Sequence, residues 1–128
     1  MNEIISVISL DRPGKSIPYD RKEFYSEQVV EYKKNGMPTL ACEVINIFLV
    51  TLEGEILLQK RSSTKSHNPN LIDKAVGGHI NFGDSPEYTV MVESVQELQT
   101  PCIALRTENE FEKTLNLLRP YLDTLAVL

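Results

Sequence analysis

Two adjacent glycines, a short acidic turn and then an amphipathic helix occupy Gly77 to Thr100, and this run constrains the chain more than any other. Its order is GGHINFGDSPEYTVMVESVQELQT. Asp84 or Ser85 is placed to cap a helix, Pro86 suits its first turn because the missing N–H is unpaired there anyway, and Glu87 favours the positive end of the dipole. A helix is therefore expected from Pro86. Val90, Val92 and Val95, flanked by Met91 and Leu98, offer it an apolar face. Glu93 and Glu97 stand four residues apart and project from one side, where like charges repel by a few tenths of a kcal/mol. A cation, a lysine or an arginine would relieve that repulsion. Carboxylate oxygens are what Mg²⁺ takes while keeping waters and sharing positions with phosphates. A metal-diphosphate site fits this spacing, and so does a solvated acidic helix face.

Upstream, Glu43 to Val50 is rich in β-branched and aromatic residues, Glu53-Gly54 supplies a turn, and Glu55 to Arg61 resumes a strand, which predicts a β-hairpin. Glu3 to Leu10 reads as a strand and Asp11 to Gly14 as a turn. Arg21 to Lys34 reads as a helix with Tyr25, Val29 and Tyr32 on one side, stopped by Asn35-Gly36. Beyond Pro101, Cys102 to Arg106 suits a short strand. Thr107 to Glu110 forms a capping box ahead of Phe111, Leu115 and Leu118 at helical spacing.

The residues from Gly78 onward resemble the Nudix box, G-x5-E-x7-R-E-U-x-E-E-x-G-U with U aliphatic, a loop–helix–loop that binds divalent metal and a diphosphate. Gly78 falls at the opening glycine, Asp84 at the first acid, Glu93 at the glutamate of the Arg-Glu pair and Glu97 at the second glutamate of the later pair. Val92 stands at the arginine, Ser94 at an aliphatic position, Gln96 at one glutamate and Gln99 at the closing glycine. The box is thus degenerate: valine donates no hydrogen bond, and Gln96 keeps an oxygen but loses a charge and a candidate base. The preceding run, with Gln59, Lys60, Arg61, Lys65, Pro69, Asp73 and His79 in place, is similar to the branch that contains isopentenyl diphosphate isomerase and its hydrolase relatives. The resemblance covers roughly residues 40 to 100.

This resemblance implies a Nudix-type α/β/α sandwich with a mixed β-sheet, formed by a single domain over 1–128, with 1–38 an N-terminal extension and 39–128 the core. An N-terminal strand pair, and not a helix, is usual before the hairpin in that branch. Several strands and a closing helix usually follow the box, so the short stretch from Pro101 to Leu128 implies a core truncated at its C-terminus. The isomerase carries a catalytic cysteine where Gly77 stands here, so isomerisation is not expected, because alkene proton transfer needs an acid and a base on opposite faces. What the resemblance implies instead is metal-dependent hydrolysis of a diphosphate linkage in a nucleoside diphosphate derivative or related small molecule. Glu93 and Glu97 would be catalytic, and with the Gly78 carbonyl would hold Mg²⁺ or Mn²⁺. Lys60, Arg61, Lys65 and His79 would contact the diphosphate, although alternation puts Lys60 and Arg61 on opposite faces of a strand. Val92 and Gln96 also suit a binding module that has lost its chemistry. For Asp84 a plain capping role, and for His79 simple packing beside the turn, are the other readings.

Composition agrees with one core. The chain has 128 residues, 41% hydrophobic and 24% charged. A net charge of -5 and a pI near 5.0 argue against duplex nucleic acid as a partner. Cys42 and Cys102 lack metal-ligand spacing, the N-terminus has no basic leader, and no run is long enough to span a membrane, so the cytoplasm is expected. Exposed apolar strand edges favour association, which leads to an expected homo-oligomer.

Overall fold

A computed structural model describes residues 2–51, 53–65 and 68–124. The elements follow in the order β1 (Ile4–Ser9), β2 (Ile17–Asp20), α1 (Arg21–Asn35), β3 (Leu40–Cys42), β4 (Val44–Ile47), β5 (Leu49–Val50), β6 (Ile56–Lys60), β7 (Ile72–Lys74), β8 (Val76–His79), α2 (Pro86–Leu98) and α3 (Glu108–Leu118), with a 3₁₀ helix at Arg119–Thr124. This is a mixed α/β architecture, as expected.

Local chemistry sets the helix ends. Asp20 caps α1 by accepting from the backbone N–H groups of Lys22 (2.9 Å) and Glu23 (3.1 Å). Gly36 closes the helix in the left-handed region at φ 73°, its N–H bonded to the Tyr32 carbonyl at 2.8 Å, while Lys33 and Lys34 sit at the negative end of the dipole. Helix α1 therefore forms where its own sequence asks for it, and the strand pair of the resembled branch is present as well, as β1 and β2 ahead of it. The side it buries differs from the Tyr25–Val29–Tyr32 stripe: Phe24 is the buried anchor, whereas Val29 and Tyr32 are 52% and 61% exposed. Phe24 lies in the first turn, the part of α1 that reaches β1. It packs on Ile5 and Val7, with Tyr19, Tyr25, Leu40 and Cys42 around them.

Strand β1 lies between β2 and β3 and is antiparallel to both, with Ile4 opposite Asp20 and Val7 opposite Cys42. Consequently β2 and β3 run in the same direction on either side of β1, joined across α1 as a split β-α-β unit. Strand β4 pairs with β8, and β6 lies between β5 and β7. Every adjacent pairing among the described residues is antiparallel, so the parallel neighbours of a mixed sheet are not among them. Adjacent parallel strands need a long crossover. The crossover present, through α1, places β3 beyond β1 and not beside β2.

Glu43 joins the sheets. Its N–H donates to the Ser6 carbonyl (2.9 Å) and its carbonyl accepts from Ile80 (3.0 Å), while the Ser6 N–H reaches the Ile80 carbonyl (2.8 Å). The run from Leu40 to Ile47 thus changes partner from β1 to β8 at this residue. The Glu43 carboxylate accepts from the Ser6 and Ser16 hydroxyls, Ser16 at 2.6 Å, and these bonds hold its pKa below the usual carboxylate value. Of the hairpin expected between 43–50 and 55–61, only the part next to the turn forms, as β5–β6, closed by the Gly54 N–H to Thr51 carbonyl bond (2.9 Å) with Gly54 at φ 83°, while Val44–Ile47 pair with β8 instead.

Two sequence expectations fail downstream, the second in part. Residues 101–106 form no strand: Pro101 removes a donor and Ile103 is 68% exposed. On α2 the buried positions are Thr89 and Ser94; of the expected apolar set Val90 and Val92 are half-buried, and Val95 is 53% exposed and lies outside the inward face. No helix among the described residues is long and apolar enough to cross a membrane.

Candidate metal and diphosphate site

Strand β8 feeds the site by alternation. Val76 and Ile80 are buried, and a side chain at Gly78, on the same face, would run into Glu93 of α2. His79 points the other way and meets α1, where its Nε2 is 2.7 Å from the Tyr25 hydroxyl and the two rings stand edge to face at 5.9 Å. Helix α2 thus packs on one face of β8, and α1 reaches the other through Tyr25.

Helix α2 starts where Pro86 permits it, and of the two candidate caps Ser85 does the work, accepting from the Tyr88 N–H at 3.2 Å. Asp84 is not the cap. It accepts instead from the Asn81 side chain at 3.4 Å and lies on the turn before the helix. Helix α2 ends at Gln99, which adopts the left-handed conformation at φ 55°, ψ 27°, and the N–H groups of Gln99 and Thr100 close on Val95 (3.1 Å) and Ser94 (3.2 Å). This is the place of the closing glycine in the box, so the backbone geometry survives without the residue that adopts it most easily. Ser94, at an aliphatic place of the box, is 1% exposed and faces the sheet.

Glu93 is half-buried over the bare Cα of Gly78, and a Cβ there would overlap its carboxylate. Burial pushes the Glu93 pKa up, and the charges of Glu97 and then Glu3 push it in the same direction. Glu97 is exposed one turn on. Glu3 reaches this neighbourhood because the Phe82 N–H bonds the Ile4 carbonyl (3.0 Å) and Ile5 bridges Asn81, and its own carboxylate pairs with Arg21 at 2.7 Å. Nothing in the local sequence pattern marks Glu3, Arg21 or Tyr25. Val92 is half-buried and Gln96 exposed.

Burial is also the first cause that lowers the His79 pKa, with Arg21 adding to it and Glu3 opposing. On the hairpin side, Arg61 is engaged by Asp73 at 2.9 Å, and this bond is the first cause that holds the Asp73 carboxyl below its ordinary range. Two residues of the upstream motif thus pair with each other across β6 and β7. Lys60 and Lys65 are exposed. The structure brings together Gly78, Glu93 and Glu97; His79 lies on the other face of β8.

Among the described residues no group of three or more His, Cys, Asp or Glu side chains could hold a metal ion. The acidic pair still fits a hard cation in kind: both donors are carboxylates, the charge of Glu97 adds to burial in raising the Glu93 pKa, and the missing Cβ of Gly78 forms a cradle in which the Glu93 carboxylate lies.

Over 62 residues the chain is 36% identical to a protein named Nudix hydrolase from Deinococcus radiodurans, a match that covers 48% of this chain and 36% of that protein. The chain thus spans about a third of the length of the curated relative it matches. No family model and no solved structure matches. The likeness to the Nudix superfamily therefore rests on the box-like residues together with a partial relative that carries that name.

Proposed function

We propose that this chain provides the metal-binding part of a Nudix-type hydrolase, of the branch similar to isopentenyl diphosphate isomerase, that cleaves a diphosphate linkage in a nucleoside diphosphate derivative or a related small molecule. The observation that carries the reading is the Glu93 carboxylate held over Gly78 with its pKa raised beside Glu97. Glu93 and Glu97, with the backbone of Gly78, would hold Mg²⁺ or Mn²⁺ in spite of the degenerate box. Such an ion, when bound, supplies positive charge to phosphoryl oxygens and acidity to bound water. A raised pKa makes Glu93 a stronger base than an ordinary carboxylate, which suits it to take a proton from the attacking water. Lys60 and Lys65, exposed on β6 and the loop after it, are free to meet phosphate oxygens, and Arg61 is oriented by Asp73. His79, turned to Tyr25 on the opposite face of β8, is placed to pack against α1 and not to meet a substrate held at Glu93. Gly77 in the cysteine place speaks against isomerisation.

A second reading, a binding module without turnover, is favoured by Val92, whose side chain cannot orient a catalytic glutamate, and by the neutral Gln96. The test is phosphate or nucleotide release from a panel of nucleoside diphosphate derivatives and prenyl diphosphates with Mg²⁺ or Mn²⁺, on the protein and on Glu97→Gln. Hydrolysis that falls roughly a hundredfold in the variant, about 2.7 kcal/mol of transition-state stabilisation, supports the hydrolase. Ligand binding with no turnover on any substrate supports the module.

A further inference from the structure

Beyond its first turn, helix α1 turns a polar side to the sheet. Phe24 is the buried anchor, and the positions three, four and seven residues on, which share its side of the helix, are Glu27, Gln28 and Glu31. A helix that lies on a sheet ordinarily carries apolar residues at such positions. Here Val29 and Tyr32 lie off that side and are exposed. A groove of about 490 Å³, open to solvent, separates α1 from Tyr19 of β2 and from Thr39 and Leu40 where β3 begins. Its size falls within the roughly 300–1,000 Å³ of small-molecule sites, and a local rule broken without a packing gain is expected at functional positions.

The groove is built and carries one sign of charge. Gln28 ties its two sides together, because its Oε1 accepts from the backbone N–H groups of Thr39 (2.8 Å) and Leu40 (3.0 Å). Glu27 accepts from the Tyr19 hydroxyl, and Glu31, half-buried, accepts from the Asn35 amide at 2.7 Å. These partners are neutral, so they orient the two carboxylates without cancelling their charge, and a carboxylate with about four acceptor positions has room for more donors. Among the described residues no lysine, arginine or histidine lines the groove, whereas Val30 and Leu40 give it aliphatic surface.

We infer that this groove binds a small aliphatic diamine, with one ammonium on each of Glu27 and Glu31 and the hydrocarbon between them against Val30 and Leu40. The occupant follows from complementarity: ammonium groups donate to carboxylates, and an alkyl chain suits the aliphatic lining. A bare metal ion is the poorer match, since among the described residues no group of three acidic, histidine or cysteine side chains could hold one. The groove shares no residue with the Glu93 and Glu97 site, so the inference stands apart from the hydrolase reading.

Titration with 1,4-diaminobutane, followed by backbone amide NMR shifts and by calorimetry, tests this. The amides of Thr39 and Leu40 and of the second half of α1 should move together on one saturable curve. Glu27→Gln and Glu31→Gln should each weaken binding roughly tenfold. Val30→Lys, which brings an ammonium to the groove from the helix itself, should weaken it at least as much, with circular dichroism confirming that these substitutions keep the fold. Adipate, which carries the same chain between carboxylates, should not bind. Four results would overturn the inference: no saturable shift at millimolar diamine, shifts confined to the surroundings of Glu93 and Glu97, glutamine variants that bind as tightly as the parent, or adipate binding as well as the diamine.

Discussion

Replacing Gly78 by alanine tests the contact on which the candidate site rests. Gly78 does not use the left-handed backbone region, so alanine meets no conformational strain there. In the unfolded chain alanine has fewer states than glycine, which alone would favour the folded protein by about 0.4–1 kcal/mol. Against this, the new methyl would lie 2.9 Å from Cγ of Glu93 and 2.6 Å from its carboxylate carbon. Because Cγ is overlapped as well as the tip, Glu93 must change rotamer or α2 must lift from β8, and overpacking of this kind costs about 1–3 kcal/mol. The net expectation is a loss of roughly 1–2 kcal/mol. Gly77→Ala is the control. Its methyl meets the Cε and Nζ atoms of Lys74, the end of a flexible chain that can swing into solvent, so the entropic gain is all that remains. Urea unfolding of both variants, with unchanged m-values, should therefore separate them by about 2 kcal/mol. Adding Glu93→Ala to Gly78→Ala removes the clashing partner and should recover more than about 0.5 kcal/mol as a coupling energy. If Gly78→Ala is as stable as Gly77→Ala, Glu93 does not lie over β8 and the cradle is wrong.

Further expectations concern charge and backbone. The folded-state pKa of Glu93 is raised, so the group favours folding below its unfolded pKa and loses that contribution as pH rises through the folded value. Glu93→Gln should then be a few tenths of a kcal/mol more stable than the parent at neutral pH, equal to it in acid, and inactive, as thermal melts at two pH values and turnover would show. His79 is shifted the other way: its folded pKa is depressed, so stability is present above the ordinary histidine value and is lost as pH falls through the folded one, and His79→Gln should remove that part of the pH slope in urea titrations. Gln99→Gly relieves a left-handed non-glycine residue and should stabilise the protein by roughly 1 kcal/mol, read as a rise in melting temperature of a few degrees.

The parts of the fold that were legible in the sequence are those decided within one or two turns of chain. Gly36, Ser85-Pro86 and Thr107 end or begin helices through bonds to backbone atoms no more than four residues away, and Gly54 turns the hairpin in the same way. The face a helix buries is decided elsewhere. Ser94 is covered and Val95 exposed because β4 and β8 lie where they do, and hydrophobicity alone points to the valine. Likewise residues 101–106 have strand-like composition yet pair with no strand among the described residues. Glu93 and Glu97 could be picked out by spacing, whereas Glu3 joins them only through the bridge of Ile5 to Asn81, and Tyr25 reaches His79 from 54 positions away. The pairing of Arg61 with Asp73 explains why both residues belong to one upstream motif, a relation that spacing on a linear chain does not express.

Charge balance decides what Val92 and Gln96 cost. With arginine at position 92 an acidic pair would have a cation of its own; here Val92 supplies none, and Arg21 is already bound to Glu3. Burial is the main cause that raises Glu93; the repulsion from Glu97 that adds to it is left for something outside the chain to neutralise, and a divalent ion would do so while the neutral Gln96 adds an oxygen without adding repulsion. The same substitutions take away the group that would fix the orientation of Glu93, and that task falls to packing against Gly78. On this reasoning ion binding depends on the charges of Glu93 and Glu97, and turnover depends in addition on the close fit of Glu93 to β8. Gly78→Ala, which moves Glu93 away from the Gly78 backbone, should accordingly weaken ion affinity, and hydrolysis still more, and Glu97→Gln should also weaken both.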